Sequence, residues 1–192
     1  MTMTANGLAK LQEEIGELLQ ETGKKLAYFT TDEHPDGAGP LSGRLVREMA
    51  DVRAAMIFVS TQFGIRGEDI EAERDSKLAL YRACPDIRMT AGGLAKLHEK
   101  MGHLLMISAC LLSNFDVQGR RVTSGAAARL LPPVAALHAA MDYVIERFDL
   151  DGDAMSERCA AKVALFERWH ADSTNGRECF HASVGEDRAL AG

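Results

Sequence analysis

The sequence predicts an all-α protein, a helical bundle built from two related halves. Three observations lead to this prediction. Apolar residues recur at helical spacing along most of the chain. Strand signals are absent, because β-branched residues are few and no segment alternates cleanly between apolar and polar residues. Blocks of sequence from the first half also return in the same order in the second half.

Three helices are predicted in the first half. The first carries an apolar stripe made of Leu8, Leu11, Ile15, Leu18, Leu19 and Leu26. The segment 30–41, TTDEHPDGAGPL, holds two prolines and two glycines and is predicted to be a loop. The stripe of the second helix is made of Leu45, Met49, Val52, Met56, Val59 and Phe63. The third helix is predicted from about Glu68 to Ala83.

The second half repeats three blocks of the first at a nearly constant offset. Residues 8–20 return as 94–106, residues 44–59 as 129–144, and residues 77–86 as 162–172. This pattern indicates a tandem duplication. We therefore expect one repeat over 1–86, a second over 87–172 and a polar C-terminal tail over 173–192.

Composition excludes several classes of function. A net charge of −6 argues against nucleic acid as the main partner. No apolar run is long enough for a membrane span, and no basic segment followed by an apolar run opens the chain. The four cysteines lack CxxC spacing, so they predict reduced thiols rather than a zinc site with tail residues such as Cys179 and His181. The prediction is a cytoplasmic protein.

Two carboxylates fall where a bundle would bury them. Glu48 lies only about 40° from Val52 around the second helix, inside the apolar stripe. Glu14 lies about 60° from Leu11, at the margin of the first stripe. An ionised carboxylate facing a core costs several kcal/mol unless it is paired or binds a metal. Both carboxylates are therefore expected to be paired or to bind a metal.

These carboxylates belong to two pairs with helical spacing. Glu14 with Glu17, and Glu48 with Asp51, each stand three residues apart and project from one side of a helix. Two such pairs on facing helices predict a site of hard oxygen ligands that suits Mg²⁺ or Mn²⁺. The alternative is a solvated acidic face on the first helix. That alternative is favoured for Glu13 alone, but it does not explain Glu48.

The second half keeps the apolar framework without the acids. The positions aligned with the four carboxylates hold Lys100, His103, Pro133 and Ala136. We therefore expect the second half to be a structural partner with an inactive site.

The acidic pattern resembles the MazG-like, all-α nucleoside triphosphate pyrophosphohydrolases, which carry EExxE followed by ExxD. The two motifs stand here as EEIGE over 13–17 and EMAD over 48–51. The resemblance covers about residues 7–84, and the second half is similar only as a degenerate copy. It implies that the two repeats form a pseudo-dimer within one chain, and it raises a homodimer of such chains as a further assembly.

The resemblance implies a Mg²⁺-dependent hydrolase, with Mn²⁺ as a substitute. Glu14, Glu17, Glu48 and Asp51 would hold the metal, and Glu13 would orient the attacking water or a ligand. A metal-bound water would attack the α-phosphorus of a nucleoside triphosphate and give a nucleoside or deoxynucleoside monophosphate and pyrophosphate. The alternative is a non-catalytic nucleotide- or metal-binding module that serves regulation or assembly.

Phosphate hydrolysis also needs cations near the acids. The resemblance points to Lys77 and Arg82 on the third helix as substrate-binding residues. Lys24 and Lys25 are alternatives, although a solvated surface position is favoured for each of them. Lys162 aligns with Lys77, so the second half is another source of a cation for the site.

Overall fold

The computed structural model describes residues 5–28, 30–34, 36–37, 39–85, 90–114 and 125–174. Within these ranges the regular structure is entirely helical, which confirms the all-α prediction. The six helices are α1 (Ala5–Ala27), α2 (Leu41–Gln62), α3 (Gly67–Ala83), α4 (Thr90–Leu112), α5 (Ala126–Phe148) and α6 (Gly152–Thr174). Apart from its first two residues, the predicted tail lies outside the described residues, as do Cys179 and His181.

The predicted apolar stripes form one core. On α1, Leu8, Leu11, Ile15 and Leu18 are fully buried, while Leu19 and Leu26 are partly buried against the same core. The stripe of α2 is buried throughout, from Leu45 to Phe63. The framework of the second half joins this core through Leu94, Leu97, Leu104, Leu130, Met141 and Val144. None of the described helices is long and apolar enough to cross a bilayer.

The helices pair in a crossed arrangement. α1 packs against α2 and α4 packs against α5, so each half contributes an antiparallel hairpin, and α1 also packs against α4. The third helices are exchanged, because α6 packs against α2 and α3 packs against α5. The last helix of the chain therefore lies beside the hairpin that carries the predicted acids. The duplication itself stays a prediction from the sequence.

Asp32, a carboxylate of the loop between α1 and α2, connects this loop to both helices. Asp32 accepts a hydrogen bond from the backbone N–H of Ser42 at 2.8 Å. It accepts another from Lys25 Nζ, near the end of α1, also at 2.8 Å. These two hydrogen bonds tie the end of α1 to the start of α2.

Candidate metal centre

Three of the four predicted ligands converge between α1 and α2. Glu14, Glu17 and Glu48 each offer a carboxylate oxygen, and these three oxygens lie within 4.8 Å of one another. The antiparallel pairing of the hairpin brings them together: Glu17 stands one turn beyond Glu14 on α1, and Glu48 faces both from α2. We call these three residues the acidic triad.

The triad is graded from buried to exposed. Glu14 is 1% exposed, Glu48 is half-buried and Glu17 is exposed. Glu14 Oε2 and Glu48 Oε2 are both shielded from solvent and have no hydrogen-bond partner among the described residues. A buried carboxylate oxygen without a donor is costly. A bound cation would compensate both of these oxygens.

Burial and mutual repulsion change the acidity of two members. Burial raises the pKa of Glu14 to about 7, against the opposing attraction of Lys10 and Lys162. Burial also raises the pKa of Glu48 to about 7, and the negative charges of Asp51, Glu17 and Glu14 raise it further. Three carboxylates at such a short separation repel each other, and a divalent cation would remove this repulsion.

The donor set fits a hard divalent cation. Mg²⁺ binds oxygen at about 2.1 Å in octahedral geometry, so its ligand oxygens stand about 3 to 4.2 Å apart. The spacing within the triad is close to this range, and small side-chain rotations would close the difference. All three ligands are carboxylates on rigid helices, without nitrogen or sulfur, which favours Mg²⁺ or Mn²⁺ over zinc.

Asp51, the fourth predicted ligand, forms an ion pair with an arginine of the second half. Arg158 on α6 donates from Nε to Oδ1 at 2.8 Å and from Nη2 to Oδ2 at 2.7 Å. Asp51 is almost completely buried. This two-point contact is the geometry in which a guanidinium binds a carboxylate most strongly.

Two lysines complete the surroundings of the acids. Lys162 Nζ on α6 lies 3.4 Å from Asp51 Oδ2 and 3.8 Å from Glu14 Oε1. Lys10 Nζ on α1 lies 2.9 Å from Glu14 Oε1. Lys162 is itself buried, and a lysine is buried at such a position only when its charge is compensated. The site is therefore a compact mixture of acids from the first half and cations from both halves.

The other predicted substrate-binding residues lie in ion pairs apart from the triad. Lys24 pairs with Glu21 at 2.7 Å. Lys77 pairs with Glu73 at 3.2 Å within α3. Arg82 pairs with Glu146 on α5. α3 packs against α5, so Arg82 is directed to the hairpin of the second half. Glu13, the remaining predicted catalytic residue, has an exposed side chain and lies 3.0 Å from Lys10.

The second half offers no matching acids. Lys100 pairs with the neighbouring Glu99 at 2.7 Å, and His103 is exposed. Pro133 and Ala136 are buried apolar positions inside α5. The four positions aligned with the predicted ligands thus hold no carboxylate.

Two residues of the site were not singled out from the sequence. Lys10 precedes Glu14 by one helical turn, a spacing that favours an ion pair. Arg158 precedes Lys162 by one turn on α6, so both cations lie on one helical face. That spacing is visible in the sequence, but it indicates a shared face and does not indicate which hairpin the face contacts.

Comparisons of the chain with protein-family models, with curated proteins and with solved structures find no match.

Proposed function

We propose that this protein is a Mg²⁺-dependent nucleoside triphosphate pyrophosphohydrolase. Water adds across the bond between the α-phosphorus and the α–β bridging oxygen, which gives a nucleoside monophosphate and pyrophosphate. The observation that supports this proposal best is the acidic triad, whose carboxylate oxygens lie within 4.8 Å of one another and in which Glu14 and Glu48 each carry a shielded oxygen without a hydrogen-bond partner among the described residues. The resemblance of the EExxE and ExxD motifs to the MazG-like family supports the same reaction.

Glu14, Glu17 and Glu48 would hold the cation. When bound, Mg²⁺ supplies charge that polarises the phosphate oxygens and lowers the pKa of a bound water. The three carboxylates are held rigidly, since they project from α1 and α2, two helices that are packed in the core. A fixed ligand set of this kind loses little free energy to reorganisation when substrate binds.

Lys162 would offset part of the negative charge of the triphosphate, beside Arg158, which is already paired with Asp51. Both lie on α6, and both contact the acids that surround the cation position. A cation held in a water-poor site interacts with developing phosphate charge more strongly than it would in bulk water. In this proposal the acids come from the first half and the organic cations come from the second half. An isolated first half would then lack part of its site.

The test is pyrophosphate release from a panel of ribo- and deoxyribonucleoside triphosphates in Mg²⁺ or Mn²⁺. Wild-type protein is compared with Glu48→Gln, which keeps the shape of the side chain and removes its charge. Loss of a metal ligand is expected to lower metal affinity or turnover about 10- to 100-fold or more. Glu167→Gln, at an exposed position on α6, is the matched control and should retain full activity.

The competing interpretation is a non-catalytic nucleotide- or metal-binding module. It predicts a different pair of results: calorimetry would detect Mg²⁺ binding that Glu48→Gln weakens, yet no nucleotide of the panel would release pyrophosphate. Release that persists in the Glu48→Gln variant would instead place the chemistry elsewhere in the molecule.

A further inference from the structure

A cavity of about 530 Å³ opens beside the acidic site, at the loop end of the α1–α2 hairpin. One wall comes from the start of α2, with Ser42, Val46 and Arg47. The facing wall comes from the corner between α5 and α6, with Phe148 and Leu150. Its volume lies in the range of pockets that enclose small organic ligands.

Arg158 joins this cavity to the acidic site. Arg158 is one of the residues that line the cavity, and its guanidinium also binds Asp51. Ser42, at the loop end, precedes Glu48 by six residues, which is about 9 Å along α2. The cavity therefore extends away from the metal position along α2, and a ligand could reach from one to the other past Arg158.

The charges on the cavity wall largely cancel. Lys25 and Asp32 neutralise each other at 2.8 Å. Asp151 accepts a hydrogen bond from the backbone N–H of Ala154 at 2.8 Å and so caps α6. Arg158 is matched by Asp51. Of the remaining charged groups, Arg47 and Asp149 carry opposite signs.

This balance decides which part of a nucleotide the cavity suits. A triphosphate carries several negative charges and needs an excess of cations or a bound metal. The cavity offers neither. Its apolar residues (Val46, Phe148 and Leu150) suit a flat organic ring, and its polar rim suits hydroxyl and ring-edge hydrogen-bonding groups.

We propose that this cavity binds the nucleoside part of the substrate, with the triphosphate directed past Arg158 to the acidic triad. The inference rests on the proposed function for the position of the phosphates. It adds that the α5–α6 corner of the second half forms the base-side wall. Base and sugar selectivity is then set by residues around Ser42 and Phe148, and not by the acids.

Ala154 provides a direct test, because it lines the cavity from the first turn of α6. Ala154→Phe is expected to fill the cavity without altering the triad. The matched control is Ala160→Phe, at an exposed position of the same helix that does not line the cavity. Calorimetry in Mg²⁺ measures binding of non-hydrolysable α,β-imido nucleoside triphosphates, with inorganic tripolyphosphate as a probe of the phosphate end alone.

The expected result is at least tenfold weaker nucleotide binding for Ala154→Phe, with Mg²⁺ and tripolyphosphate binding unchanged and Ala160→Phe like wild type. Ala154→Gln, a smaller polar change, should weaken nucleotide binding about threefold if Ala154→Phe fails to fold. Nucleotide binding equal to wild type in folded Ala154 variants would overturn the cavity assignment, even if pyrophosphate release is observed. Nucleotide binding that is sensitive to Ala154 in a chain that releases no pyrophosphate would support the cavity and refute the hydrolase. A wild-type chain that binds none of the nucleotides would overturn both.

Discussion

Arg158 and Asp51 join the two halves of the chain at the acidic site. The guanidinium on α6 meets the carboxylate on α2 at 2.8 and 2.7 Å, and 107 residues separate the two in sequence. The contact is largely buried, with 17% of the Arg158 side chain and 3% of the Asp51 side chain exposed. A charge pair at this depth is costly to separate, because each partner would leave the other uncompensated.

We predict that Arg158→Met lowers the free energy of unfolding by about 3 kcal/mol, since it leaves the buried Asp51 carboxylate without its two-point partner. The double variant with Asp51→Asn should lose less than the sum of the two single variants, because the second change removes the orphaned charge. Urea unfolding of the four proteins measures this coupling. Arg66→Gln, at an exposed ion pair, is the control and should leave the unfolding midpoint unchanged. Strict additivity would show that the contact contributes no coupling.

Lys162→Met should change metal affinity and turnover in opposite directions. The ammonium lies 3.4 Å from Asp51 and 3.8 Å from Glu14, so it repels a cation bound beside these acids. Its removal is expected to tighten Mg²⁺ binding severalfold, and to lower kcat about 100-fold because phosphate charge is no longer offset. Lys162→Arg should recover part of the turnover. Calorimetry and initial rates measure the two effects, and a variant that loses metal affinity and kcat together would contradict this role.

The metal-free protein should become less stable as pH rises from about 4.5 to about 7. Burial raises the pKa values of Glu14 and Glu48 to about 7 from the ordinary value of 4.5, so the folded state retains protons that the unfolded state releases in this window. Each such proton contributes at most about 1.4 kcal/mol per pH unit. Glu48→Gln should flatten this decline, Glu167→Gln should not, and saturating Mg²⁺ should oppose it. Chemical unfolding at several pH values gives the slope.

His138 should make the folded protein less stable as pH falls below about 6.5. Burial on α5, together with the positive charges of Arg53 and Arg74, lowers the pKa of His138 to about 3. The unfolded chain binds a proton near pH 6.5 and the folded chain does not, so stability is lost as pH falls from about 6.5 toward 3. His138→Gln should remove this loss, and His98→Gln, at an exposed position of α4, should retain it. Identical acid profiles for wild type and His138→Gln would show that His138 is not buried as a neutral group.

The helices and the triad were predictable from local pattern. Leu11 and Ile15 on α1, and Met49 and Val52 on α2, are fully buried, as the 3.6-residue period required. Glu48 was recognisable because it interrupts such a stripe, and its shielded oxygen agrees with that interpretation. These features depend on residues that are neighbours on one helix or on a single hairpin, where spacing determines geometry.

The partners of the acids were not predictable in the same way. Lys77 and Arg82 were the expected cations because the MazG-like resemblance points to the third helix, yet α3 packs against α5. The connection between α2 and α3 is only four residues long, and its direction is set partly by Gly64, whose φ is 69°. A connection of this length is compatible with packing on either hairpin. The choice between Lys77 and Lys162 is made by long-range packing, which sequence periodicity does not encode.

The packing of α6 against α2 also determines whether the site stays complete when the protein is diluted. If acids and cations came from separate chains, the fraction of complete sites would fall as the protein was diluted. Because α6 is tethered to α2 in one polypeptide, its effective concentration at the acids is fixed by the chain and not by the solution. Specific activity should therefore stay constant down to very low protein concentrations. Because α6 packs on α2, the α4–α5 hairpin does not need acids of its own, and it carries Pro133 and Ala136 at the matching positions.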